Sequence, residues 1–422
     1  MLRAANGREV WFNRSAVDYV AWVAKSLQNE SALFSGVLLE EFERVVRQVL
    51  VDGYCDGSIT ADSPDLVATI RRRIDEALAN SSRPLTHSFP GWSIDVGEKT
   101  LRVGPVAIVP VRKWVERQTF APKARDIIFS AEAPEEGWKA RFFDYQLGRV
   151  EPSHRDPASK LASIIADASH VVDVAMPAQE AATSRDLARR LARAALDAIA
   201  LIMENPVFHK EWILRDHPSE SPVYSHITAF ESGLWPPYAH KHHHRSPFSA
   251  AENRSALTDF DNYLKACGHV LNVLRDPSSS SSNIDLAGRW FTALLWASSG
   301  ARESNDAMAS AKFATSLDIL AQAHSAYAIT EMVCHLLGVD AGKKLVKESP
   351  HHPEGMTVRQ AVEALYGKGR SQILHGNIVD PMHRHVLERE VGGLLARRCL
   401  RVAVQAIPGA EDARHKNFRK AF

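Results

Sequence analysis

Through the first eighty positions apolar residues recur at three- and four-residue steps, and that spacing predicts helices. Val17, Val20, Val23 and Leu27 give one apolar face from Ser15 to Gln28. A second face runs through Leu33, Phe34, Val37, Leu38, Phe42, Val45, Val46 and Val49 until Asp52-Gly53 ends it. A third starts at Ser63 as N-cap with Pro64 in the first turn, and carries Leu66, Val67, Ile70, Ile74 and Leu78. The period then shortens to two. Trp92, Ile94 and Val96 alternate up to Gly97-Glu98-Lys99, and Leu101 and Val103 continue beyond it, which predicts a hairpin. Gly104-Pro105 breaks the run before Val106 to Val109, and Ile127-Ile128-Phe129 and Val171 to Val174 are further strand candidates.

Helical spacing returns from Ser184 to about Asn205, where Arg185, Arg189 and Arg193 stack at four-residue steps opposite an apolar face. Such a stripe reads as a solvated helix face before it reads as a phosphate contact. Short strand-like pieces follow at Trp212 to Leu214 and Val223 to Ile227, and then a helix through Leu257, Phe260, Leu264, Cys267, Leu271 and Leu274. Pro277 and five serines, Ser278 to Ser282, make the clearest punctuation in the chain, so the domain boundary is expected there.

Four helices are expected beyond it. The first is Ile284 to about Gly300 and the second Asp306 to Leu337. The third opens on a Thr357/Gln360 capping box and runs towards Arg370, and the fourth starts at Asp380-Pro381. The expected fold is α+β and mainly helical. A mixed region, 1–283, divisible at 180/181, would carry N-terminal helices and a small irregular β part; an all-helical bundle, 284–422, would follow it.

At 422 residues the chain is long enough for two or three cores. Its formal net charge of +1 gives no overall basic field, so any nucleic-acid surface must be local. Cys55, Cys267, Cys334 and Cys399 lie far apart, which suits buried thiols of a reducing compartment better than a zinc knuckle. No apolar run approaches a membrane span or a signal peptide, so a cytoplasmic protein without membrane contact is expected. His240-Lys241-His242-His243-His244 invites a metal, yet no Cys, Asp or Glu lies at ligand spacing within it. A surface or ligand-sensing loop is the reading preferred there, with no metal and no cofactor expected.

The chemistry concentrates in Tyr366-Gly367-Lys368-Gly369-Arg370-Ser371-Gln372-Ile373-Leu374-His375-Gly376-Asn377. Arginine is the planar, permanently charged partner of phosphate, and histidine exchanges protons near neutral pH. RNA carries its own nucleophile in the 2′-hydroxyl, so an Arg/His pair suits its cleavage without a metal. On an α-helix a five-residue step leaves the two side chains about 140° apart, so a site using both gains from a second copy across a two-fold axis. The same residues also make an ordinary helix C-cap, with Gly376 left-handed and Arg370 solvated.

At Tyr366 and from Arg370 to Gly376, late in a helical bundle, the sequence resembles the HEPN superfamily and its ApeA-like branch. Arg370 and His375 match the R-x4-6-H motif. The resemblance covers about a third of the chain and implies a homodimeric, metal-independent endoribonuclease acting as a toxin or antiviral effector. Arg370 would stabilise the scissile phosphate and His375 would serve in proton transfer. It also allows a non-catalytic dimeric module holding RNA, a nucleotide or a protein partner. Region 1–283 would sense a trigger. Asn377 stands where some HEPN toxins carry a tyrosine, which puts nucleotidyltransferase control in doubt. HEPN sites often add an acid or amide from an earlier helix, and Asp306 and Asp318 are the candidates; neither is assigned a catalytic role.

Overall fold

The computed structural model describes residues 2–30, 37–60, 65–131, 133–203, 205–216, 223–226, 229–230, 233–234, 238–241, 248–276, 283–323, 325–346, 354–371, 373, 384–410 and 418–419. The expected Ser63/Pro64 cap, the serine run, the Asp380-Pro381 start, His242 to His244 and His375 lie outside them. The described chain is mainly helical with a small antiparallel sheet. No helix among the described residues is long and apolar enough to cross a membrane.

The chain forms two compact units that interleave in sequence. The first comprises Met1–His87, Val174–Arg190 and Arg275–Pro277; the second comprises Ser88–Asp173, Leu191–Leu274 and Ser278–Phe422. One crossing falls at 277/278, beside the serine run. Even so, residues 88–173 and 191–274 belong with the C-terminal helices, so the compact units do not follow the expected 283/284 boundary.

The first unit is built on α1 (Arg14–Glu30), α2 (Leu39–Asp56) and α3 (Leu66–Ser81). Val20, Ala24 and Leu27 of α1 pack against Phe42, Val45, Val46 and Val49 of α2 and Ile74 of α3, as the apolar periodicity requires. α2 runs past Gly53, where it was expected to stop. Ile59 occupies the space a Cβ on Gly53 would fill, and Gly57 at φ +77° caps the helix one turn later.

The second unit includes β2 (Leu101–Val103) and β3 (Val106–Pro110), an antiparallel hairpin pairing Leu101 with Ile108 and Val103 with Val106. The hairpin turn is therefore Gly104-Pro105, with Gly104 at φ +58°; Gly97-Glu98 does turn the chain, with Gly97 at φ +68°, but it joins no pair of strands. Trp92 to Val96 forms no strand, because Trp92 N–H donates to the Ile213 carbonyl and Asp95 folds back onto Gly97 N–H. The four-stranded sheet has the order β1-β4-β3-β2, with β1 (Arg83–Gly91) and β4 (His170–Gln179) each passing from one unit into the other. β1 escaped the sequence reading because Pro84 and Pro90 argue against a strand.

Helices α4 (Val111–Arg117), α5 (Pro122–Ile128), α6 (Trp138–Gln146) and α7 (Pro157–Ile165) follow the hairpin and precede β4. Trp114, Val115, Trp138, Phe142, Ala162 and Ile165 form their core with Val109 and Val171. Ile127-Ile128-Phe129 was expected as a strand, yet Pro122 opens a helical turn that takes in Ile127 and Ile128.

α8 (Ala181–Ala200) buries its C-terminal half, and Asp197 there is fully buried against Arg302 of α12 (Ile284–Arg302). Burial alone would raise the Asp197 carboxyl. Arg302 and His209 overcome that and hold it at about 2. His209, on the short α9 (Phe208–Glu211), gives its carbonyl to Arg302 Nε at 2.6 Å, and burial lowers its imidazole despite the neighbouring Asp197 carboxylate. Next come α10 (Ala250–Asp259) and α11 (Asp261–Arg275). Among the described residues, four further α-helices follow: α13 (Asp306–Ala321), α14 (Ala326–Leu337), α15 (Val358–Glu363) and α16 (Val386–Ala406). α13 and α14 were expected as one helix. Gln322 at φ +49° ends the first, and the Ser325 side chain caps the second.

Of the four free cysteines, Cys267 and Cys399 are buried with thiols pushed up to about 12, and Cys55 and Cys334 are partly exposed.

Candidate functional site

The capping box at Thr357 forms as expected: Thr357 Oγ1 accepts from Gln360 N–H, and the Gln360 side chain accepts from Thr357 N–H at 2.9 Å. α15 nevertheless ends at Glu363, and Ala364–Ser371 continues as a π-helix. The α-helical rotation assumed between Arg370 and His375 therefore does not hold for the turn that carries Arg370. A π-turn widens the helix to an i→i+5 pattern and occurs frequently at functional sites. Gly367 and Gly369 lower α-helical propensity here.

The turn is seated by Leu365, which is buried against α16 at Gly392. A Cβ on Gly392 would lie 2.8 Å from Leu365 Cδ1 and 3.0 Å from Phe313 Cβ, so the missing side chain lets α13, α16 and the π-turn approach one another. Ser316 Oγ donates to the Ala293 carbonyl at 2.8 Å and holds α13 on α12. The Trp290 indole N–H likewise donates to the Leu400 carbonyl and holds α12 on α16.

This packing brings Asp318 of α13 to Arg370. Arg370 Nη2 lies 3.0 Å from Asp318 Oδ2, with side-chain exposures of 26% and 9%. Arg370 Nη1 donates to the Tyr366 hydroxyl at 3.3 Å, and the guanidinium carbon sits 5.4 Å from the Tyr366 ring centroid. Arg370 is thus not the solvated side chain of a helix end. Its Nε is buried and has no hydrogen-bond partner among the described residues.

Asp306, the other acid considered, belongs elsewhere. It sits twelve residues, about 18 Å, away at the start of α13. There it accepts from Arg389 Nη1 at 2.5 Å, while Nη2 of the same arginine donates to the Glu303 carbonyl. The Tyr366 contact could be foreseen as an i,i+4 aromatic–cation pair. His240 and Lys241 form a strand pairing with Tyr224 and Val223. No group of three or more potential metal ligands gathers among the described residues.

Chemically, the described half of the site presents a guanidinium whose plane is fixed by a carboxylate and a phenol. Such a group is prepared to meet an oxyanion in one orientation. No protein-family model matches the chain, and no curated protein or solved structure matches it either.

Proposed function

We propose that the chain is a metal-independent endoribonuclease of the HEPN type, acting as a toxin or antiviral effector. The observation that carries this reading is Arg370, oriented by Asp318 and Tyr366 on a π-helical turn; His375 follows it by five positions in the sequence. In the reaction the substrate 2′-hydroxyl attacks the neighbouring phosphorus, its proton leaves and the 5′-oxygen departs. His375 serves the proton transfers and Arg370 stabilises the charge of the phosphorane. Asp318 is a positioning residue. A second copy of the chain contributes its own Arg370 and His375 to the same cleft.

Purified full-length protein is mixed with total RNA in EDTA, and the expected result is cleavage that disappears in His375→Ala and Arg370→Gln. Undiminished cleavage by His375→Ala overturns the proposal, as does an intact wild type that leaves all RNA uncut. The second reading is a module that holds RNA without cutting. The Asp318 pair keeps the Arg370 guanidinium in one orientation whether or not a proton is transferred, so it serves binding as well as cleavage. Saturable RNA binding with no cleavage at any protein concentration selects that reading.

A further inference from the structure

A second site lies in the same unit, on the face where the β2–β3 hairpin meets α11. Gly104 at the hairpin turn and Gly268 on α11 touch backbone to backbone. A Cβ on Gly268 would stand 2.6 Å from Gly104 N, and one on Gly104 2.3 Å from the Gly268 carbonyl oxygen. Beside this contact opens a groove of about 710 Å³, within the range of small-molecule sites. Leu257 and Leu264 supply apolar wall, and Arg102, Lys265, His269 and Asn272 supply polar atoms. Lys265 is shared with Asp261 at 2.6 Å, but both side chains are well exposed, so this pair holds the lysine only weakly.

The imidazole is the informative member. Asn283 is 97% buried, and its Nδ2 donates to the Ile407 carbonyl at 2.9 Å. A carbonyl only accepts, so the amide orientation is fixed. The same NH2 group lies 3.1 Å from His269 Nε2, which must then accept, and the proton of the neutral ring resides on Nδ1. A buried amide whose NH2 is committed thus sets a half-buried, groove-lining histidine as an N–H donor through Nδ1. A histidine that only filled space would not need that arrangement.

We infer that this groove binds a small phosphomonoester carrying an apolar or aromatic body, of nucleoside monophosphate size. Arg102, Lys265 and the His269 Nδ1–H take the phosphate oxygens, and the two leucines take the body. The site is independent of Arg370 and goes beyond the nuclease reading.

The test is calorimetric titration of the full chain with AMP, with inorganic phosphate and with adenosine. AMP is expected to bind one per chain, about tenfold or more tighter than either half of the molecule alone. Arg102→Gln and Lys265→Gln, both surface changes that leave the circular dichroism spectrum intact, are each expected to weaken AMP about fivefold or more. His269→Ala is expected to weaken it as well, whereas Arg370→Gln leaves it unchanged. A short RNA with a 5′-phosphate that displaces AMP, where its 5′-hydroxyl counterpart does not, supports the same phosphate chemistry from a polymeric source. Absence of saturable AMP binding at millimolar concentration overturns the inference. So does unaltered binding in the Arg102→Gln/Lys265→Gln double variant, or equal displacement by the two RNAs.

Discussion

Replacing Asp318 by asparagine keeps the volume and one acceptor oxygen and removes the charge that faces Arg370. The pair is 3.0 Å apart, with the carboxylate nearly buried and the guanidinium about one-quarter exposed. A hydrogen bond to a charged group contributes about 1.5–3 kcal/mol, and the retained oxygen together with solvent screening of Arg370 reduces the expected loss to about 1 kcal/mol. A double-mutant cycle of Asp318→Asn with Arg370→Gln, read by urea unfolding, is expected to give a coupling of about 1 kcal/mol. In the cleavage assay the same change lets the guanidinium rotate and lowers kcat by about tenfold, equivalent to 1.4 kcal/mol. KM for RNA stays level or falls, because the arginine has lost its internal counter-charge. Tyr366→Phe keeps the ring beneath the guanidinium and is the milder control, since the hydroxyl contact is long at 3.3 Å. A coupling below about 0.3 kcal/mol, or a raised KM with kcat unchanged, would refute the positioning role.

Asp197→Asn leaves Arg302 buried without its counter-charge and is expected to cost about 3–5 kcal/mol at pH 7, seen as a lower urea midpoint. The native carboxyl at about 2 lies below its usual 3.8, so this stabilisation is present above about pH 4 and fades as pH falls towards 2, where wild type and variant converge. His170 behaves independently: burial, only partly opposed by Asp95, lowers it from 6.5 to about 4. The unfolded chain therefore takes up the proton first, and the fold loses up to about 3 kcal/mol between pH 6.5 and 4. His170→Gln should flatten that decline in urea midpoints, and an unchanged slope refutes the assignment. Gly268→Ala forces α11 and the Gly104 turn apart and is expected to cost about 1–3 kcal/mol with weakened AMP binding; wild-type stability would contradict the close contact.

The helices were legible in the chain where an apolar face recurred at helical spacing, as in α1 and α12, and the start of α15 was legible from the Thr357 capping box. Boundaries failed where the signal was tertiary. Gly53 reads as a stop but serves as a seat for Ile59, and Gln322 breaks a helix that periodicity carries straight through. Asp318 was legible only as a candidate, since nothing local separates it from Asp306; the packing of α13 against the π-turn distinguishes them. The π-turn itself was not legible, because Ala364–Ser371 carries apolar side chains only at Ala364, Leu365 and Tyr366, too few to set a period. Long-range partners such as Asp197 with Arg302, or Asn283 with His269, leave no mark on either local sequence. For His375 the motif spacing remains the whole of the argument.

The interleaving of the two units has a consequence for synthesis. As the chain leaves the ribosome, Asp197 and His209 emerge about a hundred residues before Arg302, and His269 waits for Asn283 and then for Ile407. Arg401, stacked 4.7 Å over the Phe260 ring, emerges about 140 residues after it. A ribosome stalled before the last helix would hold a second unit in which Asn283 lacks the Ile407 carbonyl, Asp306 lacks Arg389 and the Phe260 ring lacks Arg401. The same dependence forbids dissection: a cut at 283/284 separates Arg302 from Asp197 and Arg401 from Phe260. The helices bearing Arg370 therefore cannot travel as a cassette, and whatever they do becomes possible only once nearly the entire chain has been made.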